Sequence, residues 1–206
     1  MPLRSILTFL FVVFAGSAQA ATILVWGDSL SAGYGLKSGE AWPTLLQTRL
    51  AQEGFRHEVV NGSVSGETSA GGRSRLPAAL QRHKPDIVIL ELGANDGLRG
   101  LKPALMADNL RAMVQASKAA GARVLMVGMQ MPPNYGPAYT RNFSQAFVDV
   151  AGSEKIAHVP FLLEGFADKA EWFQADGAHP TAAAQSAILE TVWQGLKPLL
   201  GSRAAK

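Results

Sequence analysis

Five short apolar runs mark the chain, and the segments between them carry apolar residues at helical spacing. "TILVW", from Thr22 to Trp26, is a β-rich run that stops at Gly27. A helix is predicted over Glu40 to Glu53, where Leu45, Leu46 and Leu50 share one face. A second strand is expected over His57 to Val60, then a helical segment from Arg75 to Gln81. "DIVILEL", Asp86 to Leu92, is the clearest buried strand. Pro103 fits the first turn of a helix that runs to Lys118 and closes before Gly121. A fourth strand follows over Arg123 to Gly128. "PPNYGP" reads as a loop, because its prolines and glycine interrupt any regular element. The pattern ends with a helix over Ala138 to Val150, a short strand at Ile156 to Val159 and a helix over Thr181 to Leu196.

Near-continuous apolar strands alternating with helices predict a parallel sheet covered on both faces, a three-layer α/β/α sandwich. Residues 21–206 show no repeat and no linker, and form one domain. In such folds ligands bind beyond the carboxyl ends of the strands. The polar clusters fall there: "GDSLS" after the first strand, "NGSVSGET" after the second, "GAND" after the third and "QMPPNYG" after the fourth.

Composition narrows the chemistry. The chain has no cysteine, which excludes disulfides, thiol nucleophiles and cysteine metal sites. Its 19 basic and 16 acidic side chains are dispersed, with no basic block interleaved with aromatics, so no nucleic-acid partner is expected. The first twenty residues, "MPLRSILTFLFVVFAGSAQA", combine an early Arg4, an apolar run from Ile6 to Ala15 and small residues at Ala18 and Ala20. That is the pattern of a secretory signal peptide cleaved after Ala20. The run is short of the roughly 20 residues needed to span a bilayer. The mature protein is therefore expected to be periplasmic or secreted, without stable membrane insertion.

Each polar cluster has an ordinary reading and a chemical one. Ser29 or Asp28 could cap a helix, or Ser29 could be a nucleophile; the phosphate-loop patterns are absent. Gly66 could serve a flexible turn or bring a backbone N–H against a ligand. Asn95 could bond its own turn or point its amide into the crevice. His57, His83 and His158 lack the spacing of a metal set. His179 differs, because Gly177 and Pro180 hold the backbone on both sides of it, three residues after Asp176. An acyl-transfer hydrolase needs a nucleophile, a base, a carboxylate that orients the base, and oxyanion donors. Ser29, His179 and Asp176 would fill the first three roles. The Ser29 N–H, the Gly66 N–H and the Asn95 side chain would supply the donors.

Four blocks in this order, "GDSLS", Gly66 in "VNGSVSGETSAGG", Asn95 in "LGAND" and His179 in "DGAHP", resemble those of the SGNH, or GDSL, hydrolase superfamily. The resemblance covers nearly the whole mature chain. It implies a five-stranded parallel sheet of flavodoxin-like type and an open, shallow site. There Ser29 would attack an ester or thioester carbonyl while His179 acts as base and then acid, oriented by Asp176. Ser29, Gly66 and Asn95 would form the oxyanion hole, and no metal or organic cofactor is implied. The substrates implied are arylesters, acyl-CoA thioesters and lysophospholipids. Other branches of the superfamily remove acetyl groups from carbohydrate or peptidoglycan, which is the alternative reading. The segment Met131 to Pro137 resembles one that shapes an acyl cleft, and Asp28, Asn134 and Tyr135 are the expected substrate-binding residues.

Overall fold

A computed structural model describes residues 21–201; the expected signal peptide and residues 202–206 lie outside them. Five strands form one parallel sheet: β1 (Thr22–Gly27), β2 (Glu58–Asn61), β3 (Ile87–Glu91), β4 (Arg123–Val127) and β5 (Ala157–Val159). The sheet order is β2-β1-β3-β4-β5, so the chain winds outward in both directions from the junction of β1 and β3. All of β3 is buried, as is all of β1 after Thr22, because both of their faces are covered. The edge strand β2 is exposed or half-buried throughout and carries polar residues at its ends.

The helices are α1 (Ser29–Ala32), α2 (Trp42–Gln52), α3 (Ser69–His83), α4 (Ala94–Leu98), α5 (Pro103–Ala119), α6 (Pro137–Glu154) and α7 (Gln185–Leu196). α2 packs with α7 on one side of the sheet, while α3, α5 and α6 pack in a row on the other. In α5 the buried residues Met106, Leu110, Met113, Val114 and Ser117 make the expected stripe. Pro103 opens that helix, where its missing N–H costs nothing. Across the other layer, the Trp42 backbone N–H donates to the buried Gln185 side chain at 3.0 Å, fixing the start of α2 against the start of α7.

The structure departs from the sequence pattern in four places. α3 starts at Ser69, six residues before the expected Arg75. Thr68 caps it by accepting from the Gly71 N–H, and Gly72 lets the helix lie close to the sheet. The Trp26 indole N–H donates to the Gly72 carbonyl at 3.1 Å, and a methyl group at Gly72 would collide with Leu92. Second, the one-turn helix α4 occupies a segment expected to be a loop, while α1 is the short helix that a cap at Asp28 would open. Third, "PPNYGP" contains a single 3-10 turn at Pro133–Tyr135, and Pro137 already belongs to α6. Finally, the last helix begins at Gln185, after a 3-10 turn at Ala182–Ala184, and not at Thr181.

Candidate active site

Strand β1 delivers the first polar cluster. Gly27 pairs in register with Glu91 at the end of β3, and a methyl group at Gly27 would approach Glu91 Oε2 to 2.5 Å. Asp28 then caps α1, its Oδ1 accepting the Leu30 N–H at 3.0 Å, so Ser29 stands as the first residue of the helix. Beneath this turn Glu91 Oε2 accepts the Ser31 hydroxyl at 2.6 Å and the Asp28 N–H at 3.4 Å. Both carboxyls are buried. Burial pushes Glu91 well above the ordinary carboxylate range, and the Asp28 charge adds to the effect. Asp28 is raised to about 6, again by burial first, against the opposing bonds from the Leu30 N–H and the Asn95 amide.

The second arm comes from the far end of the chain. Between β5 and α7 the backbone doubles back, with Phe173 bridged to Pro180 and the Gln174 N–H donating to the His179 carbonyl at 2.7 Å. Gly177 takes the turn at φ +67°, which a side chain would resist. Asp176 Oδ1 accepts the N–H groups of Ala178 and His179 at 2.9 and 3.0 Å, and its Oδ2 lies 2.7 Å from His179 Nδ1. Those backbone donors, with the ring N–H, lower the Asp176 carboxyl to about 2. His179 Nε2 in turn lies 2.9 Å from Ser29 Oγ. The Gln174 side chain ties the two arms together, donating to the carbonyls of Tyr34 and Pro180 at 2.8 and 3.1 Å. The Tyr34 ring lies over the His179 ring with centroids 4.4 Å apart. The aim of His179 is therefore set by this braced turn, not by the helix expected to begin right after Pro180.

Asn95 sits in the first turn of α4 and faces the same group of residues. Its Nδ2 donates to Asp28 Oδ2 at 3.1 Å and to the Glu67 carbonyl at 3.0 Å. Gly66 adjoins Glu67 at φ +78°, and its carbonyl accepts Arg99 Nη2 at 3.0 Å. Space at its missing Cβ is open, so glycine is needed there for its left-handed backbone and not for a close approach. The Arg75 guanidinium lies 4.1 Å above the Trp26 ring and is paired with Glu67, which firms the Gly66 loop from behind. The residues expected to bind substrate divide. Asp28 is wholly buried and braces Asn95, so it is not a contact surface. Asn134 is exposed on the 3-10 turn, and Tyr135 is half-buried, its hydroxyl donating to the Leu98 carbonyl at 3.2 Å. The same segment borders a cleft of about 480 Å³ lined by Met131, Pro133, Pro137 and Arg141, among others, and by neither Asn134 nor Tyr135.

Sequence reasoning passed over Glu91, Tyr34 and the Arg75–Glu67 pair. Glu91 left a trace: it is the one charge inside the apolar run "IVILEL", and a charge there needs a partner. Tyr34 and Arg75 left none, since their roles depend on loops that meet only in three dimensions.

A doubly wound α/β sandwich with a Ser–His–Asp hydrogen-bonded series at the carboxyl edge of its sheet has the architecture of a nucleophilic hydrolase. The chain belongs to the GDSL-like Lipase/Acylhydrolase family, whose model matches residues 25–187. It is 53% identical over 189 residues to Esterase TesA of Pseudomonas aeruginosa, covering 92% of this chain and 94% of that one. It is 41% identical over 196 residues to Thioesterase 1/protease 1/lysophospholipase L1 of Escherichia coli K12, covering 94% and 93%. A crystal structure of TesA superposes with a TM-score of 0.85 at 55% identity, over 87% of this chain and 99% of that one.

Proposed function

We propose that the protein is a serine esterase that hydrolyses carboxylic esters and thioesters of varied acyl groups, acting in the periplasm or after secretion. The observation that carries this reading is the unbroken series Ser29 Oγ–His179 Nε2 at 2.9 Å and His179 Nδ1–Asp176 Oδ2 at 2.7 Å. With Nδ1 protonated and bonded to the Asp176 carboxylate, Nε2 carries a lone pair aimed at the Ser29 hydroxyl. Ser29 Oγ attacks the carbonyl carbon as its proton passes to His179 Nε2. The carbonyl oxygen becomes an oxyanion, held by the Ser29 N–H, the Gly66 N–H and the Asn95 amide. Collapse of this intermediate expels the alcohol or thiol, which takes the proton from His179, and leaves the acyl group on Ser29. Water repeats the cycle: it gives a proton to His179, attacks the acyl carbon and restores the Ser29 hydroxyl as the carboxylic acid departs. Asp28 acts through Asn95 and the α1 turn, as a positioning residue. The breadth of leaving group is supported by the names of the relatives, which span esterase, thioesterase and lysophospholipase.

Ser29→Ala tests the reading. The variant is expected to lose p-nitrophenyl butyrate hydrolysis by about 10⁶-fold while its circular dichroism and unfolding midpoint stay those of the parent. A folded variant that keeps the parent rate overturns the assignment. A series of p-nitrophenyl esters, acyl-CoAs and lysophospholipids beside an acetylated glycan then ranks the acyl groups.

A further inference from the structure

The apolar surface of the molecule is unevenly distributed. Among the described residues six large apolar side chains are exposed: Tyr34, Val64, Leu98, Leu101, Leu105 and Val148. Only Val148 lies away from the site, on α6. Tyr34 covers His179, and the Val64 N–H bonds the Gly27 carbonyl at 3.0 Å, next to the nucleophile turn. Leu98, Leu101 and Leu105 lie on the segment from the end of α4 to the first turn of α5, just beyond Asn95. Leu105 is the most open, at 59% exposure. All five stand beyond the carboxyl ends of β1, β2 and β3, so they rim a single edge of the sheet.

The three leucines are interleaved with charge of one sign. Residues 97–107 read "GLRGLKPALMA", whose only charged side chains, Arg99 and Lys102, are both exposed. Of the nearest acids, Asp96 is buried against Ser69 at 2.6 Å, and the exposed Asp108 is paired with Arg111 at 2.9 Å. Exposed leucines alternating with arginine and lysine match the layering of a phospholipid surface, where acyl chains lie just below anionic phosphates. Long basic side chains reach the phosphate level while leucines enter the boundary beneath it. A soluble partner protein would meet the leucines equally well, but it would give no reason for one-signed charge around them.

We propose that the segment from Leu98 to Leu105 docks the protein reversibly on an anionic phospholipid surface, with the site rim turned toward the lipid. This rests on the esterase reading only for its purpose, which is access to substrates dissolved in the bilayer; the attachment itself needs no chemistry. The segment's braces fit the role. The Tyr139 hydroxyl donates to the Leu101 carbonyl at 2.7 Å and Tyr135 to that of Leu98, so the backbone is held while the leucine side chains stay exposed; Arg99 also reaches the Gly66 carbonyl at 3.0 Å.

The test uses the mature chain and vesicles of phosphatidylglycerol mixed with phosphatidylethanolamine, set beside vesicles of phosphatidylcholine alone. The parent is expected to sediment with the anionic vesicles, to be released by high salt, and to bind phosphatidylcholine at least about tenfold more weakly. Lys102→Glu and Leu105→Asp are each expected to weaken anionic-vesicle binding about tenfold or more. Both place an acid at the start of α5, where the helix dipole favours it, so folding should be preserved. Hydrolysis of soluble p-nitrophenyl butyrate should stay at the parent rate, while hydrolysis of a vesicle-bound lysophospholipid falls with binding. The proposal is overturned if the parent stays in the supernatant, or if both variants bind as the parent does. It is also overturned if sedimentation shows the leucines buried between two copies of the chain. Failure of the esterase reading has a separate signature: vesicle binding persists while Ser29→Ala leaves ester hydrolysis untouched.

Discussion

The Asn95 amide nitrogen has two hydrogens, and both are engaged, one by Asp28 Oδ2 and one by the Glu67 carbonyl. In the proposed reaction an oxyanion beside Ser29 would compete for one of them. The bond to Asp28 joins Asn95 to a carboxyl that burial raises to about 6, and that bond favours the charged form. The Glu67 carbonyl keeps the amide aligned while the other hydrogen is shared or transferred. Asn95→Ala is therefore expected to lower kcat by about 10²–10³ with little change in KM, because the lost interaction grows with charge in the transition state. Steady-state kinetics on one soluble ester decide it. A variant with parental kcat would assign Asn95 to holding Asp28 and the Gly66 loop alone. Ser29 and Asn95 stood out in the sequence because each follows a strand, and His179 because Gly177 and Pro180 flank it. The burial of Asp28 was not legible, because sequence cannot show that a polar residue beside Ser29 points down into the sheet and not out to solvent.

Among the elements, the strands were the most legible, since β1 and β3 are apolar on both faces for most of their length and end within two residues of a glycine. The helices were legible wherever a leucine or methionine stripe ran for several turns, as in α5. The start of α3 was hidden because Gly71 and Gly72 are poor helix formers, and only the fold explains them: a methyl group at Gly72 would meet Leu92 and Trp26, and one at Gly71 would meet Glu67. One-turn helices such as α1 and α4 have no periodicity to read. Yet α4 matters, because Gly93 sets its entry and Asn95 rides on it. Gly93 has φ +131°, and a methyl group there would come within 2.7 Å of Met106 Sδ and 2.9 Å of Phe147 Cζ. Gly93→Ala is expected to destabilise the fold by roughly 2–4 kcal/mol through backbone strain and overpacking. It should also lower kcat, since relief of the clash moves α4. Urea unfolding checks the first, with an unchanged m-value showing that the denatured state is the same. Loss of stability with full turnover would show that α4 is held from its other end.

At the scale of the whole molecule, Glu91, Asp28 and Asp176 tie stability to pH, beside His57 and His158, whose burial lowers their pKa so that their contribution rises with pH. Glu91 is raised well above its ordinary value of 4.5 in the folded chain. The unfolded chain therefore gives up this proton first as pH rises, and the stability that Glu91 contributes is present below about 4.5 and lost above it. Asp28 acts in the same direction between 3.8 and about 6. Asp176, lowered from 3.8 to about 2, acts oppositely: its contribution is present above 3.8 and lost as pH falls toward 2. Glu91→Gln keeps an acceptor for the Ser31 hydroxyl and removes the proton. Across pH 5 to pH 8 the variant's denaturation midpoint should gain on the parent's as pH rises; parallel curves would show that Glu91 carries no linked proton. The whole chain also imposes an order in time. Ser29 and His179 meet across 150 positions of sequence, and their brace, Gln174, reaches back 140 positions to Tyr34. A chain half synthesised, or half threaded through a membrane, holds its serine with no histidine near it. On the proposed roles of Ser29 and His179, hydrolysis begins only when the last fifth of the polypeptide has folded back on the first, so export ahead of folding would keep the esters of the cell interior out of reach until then.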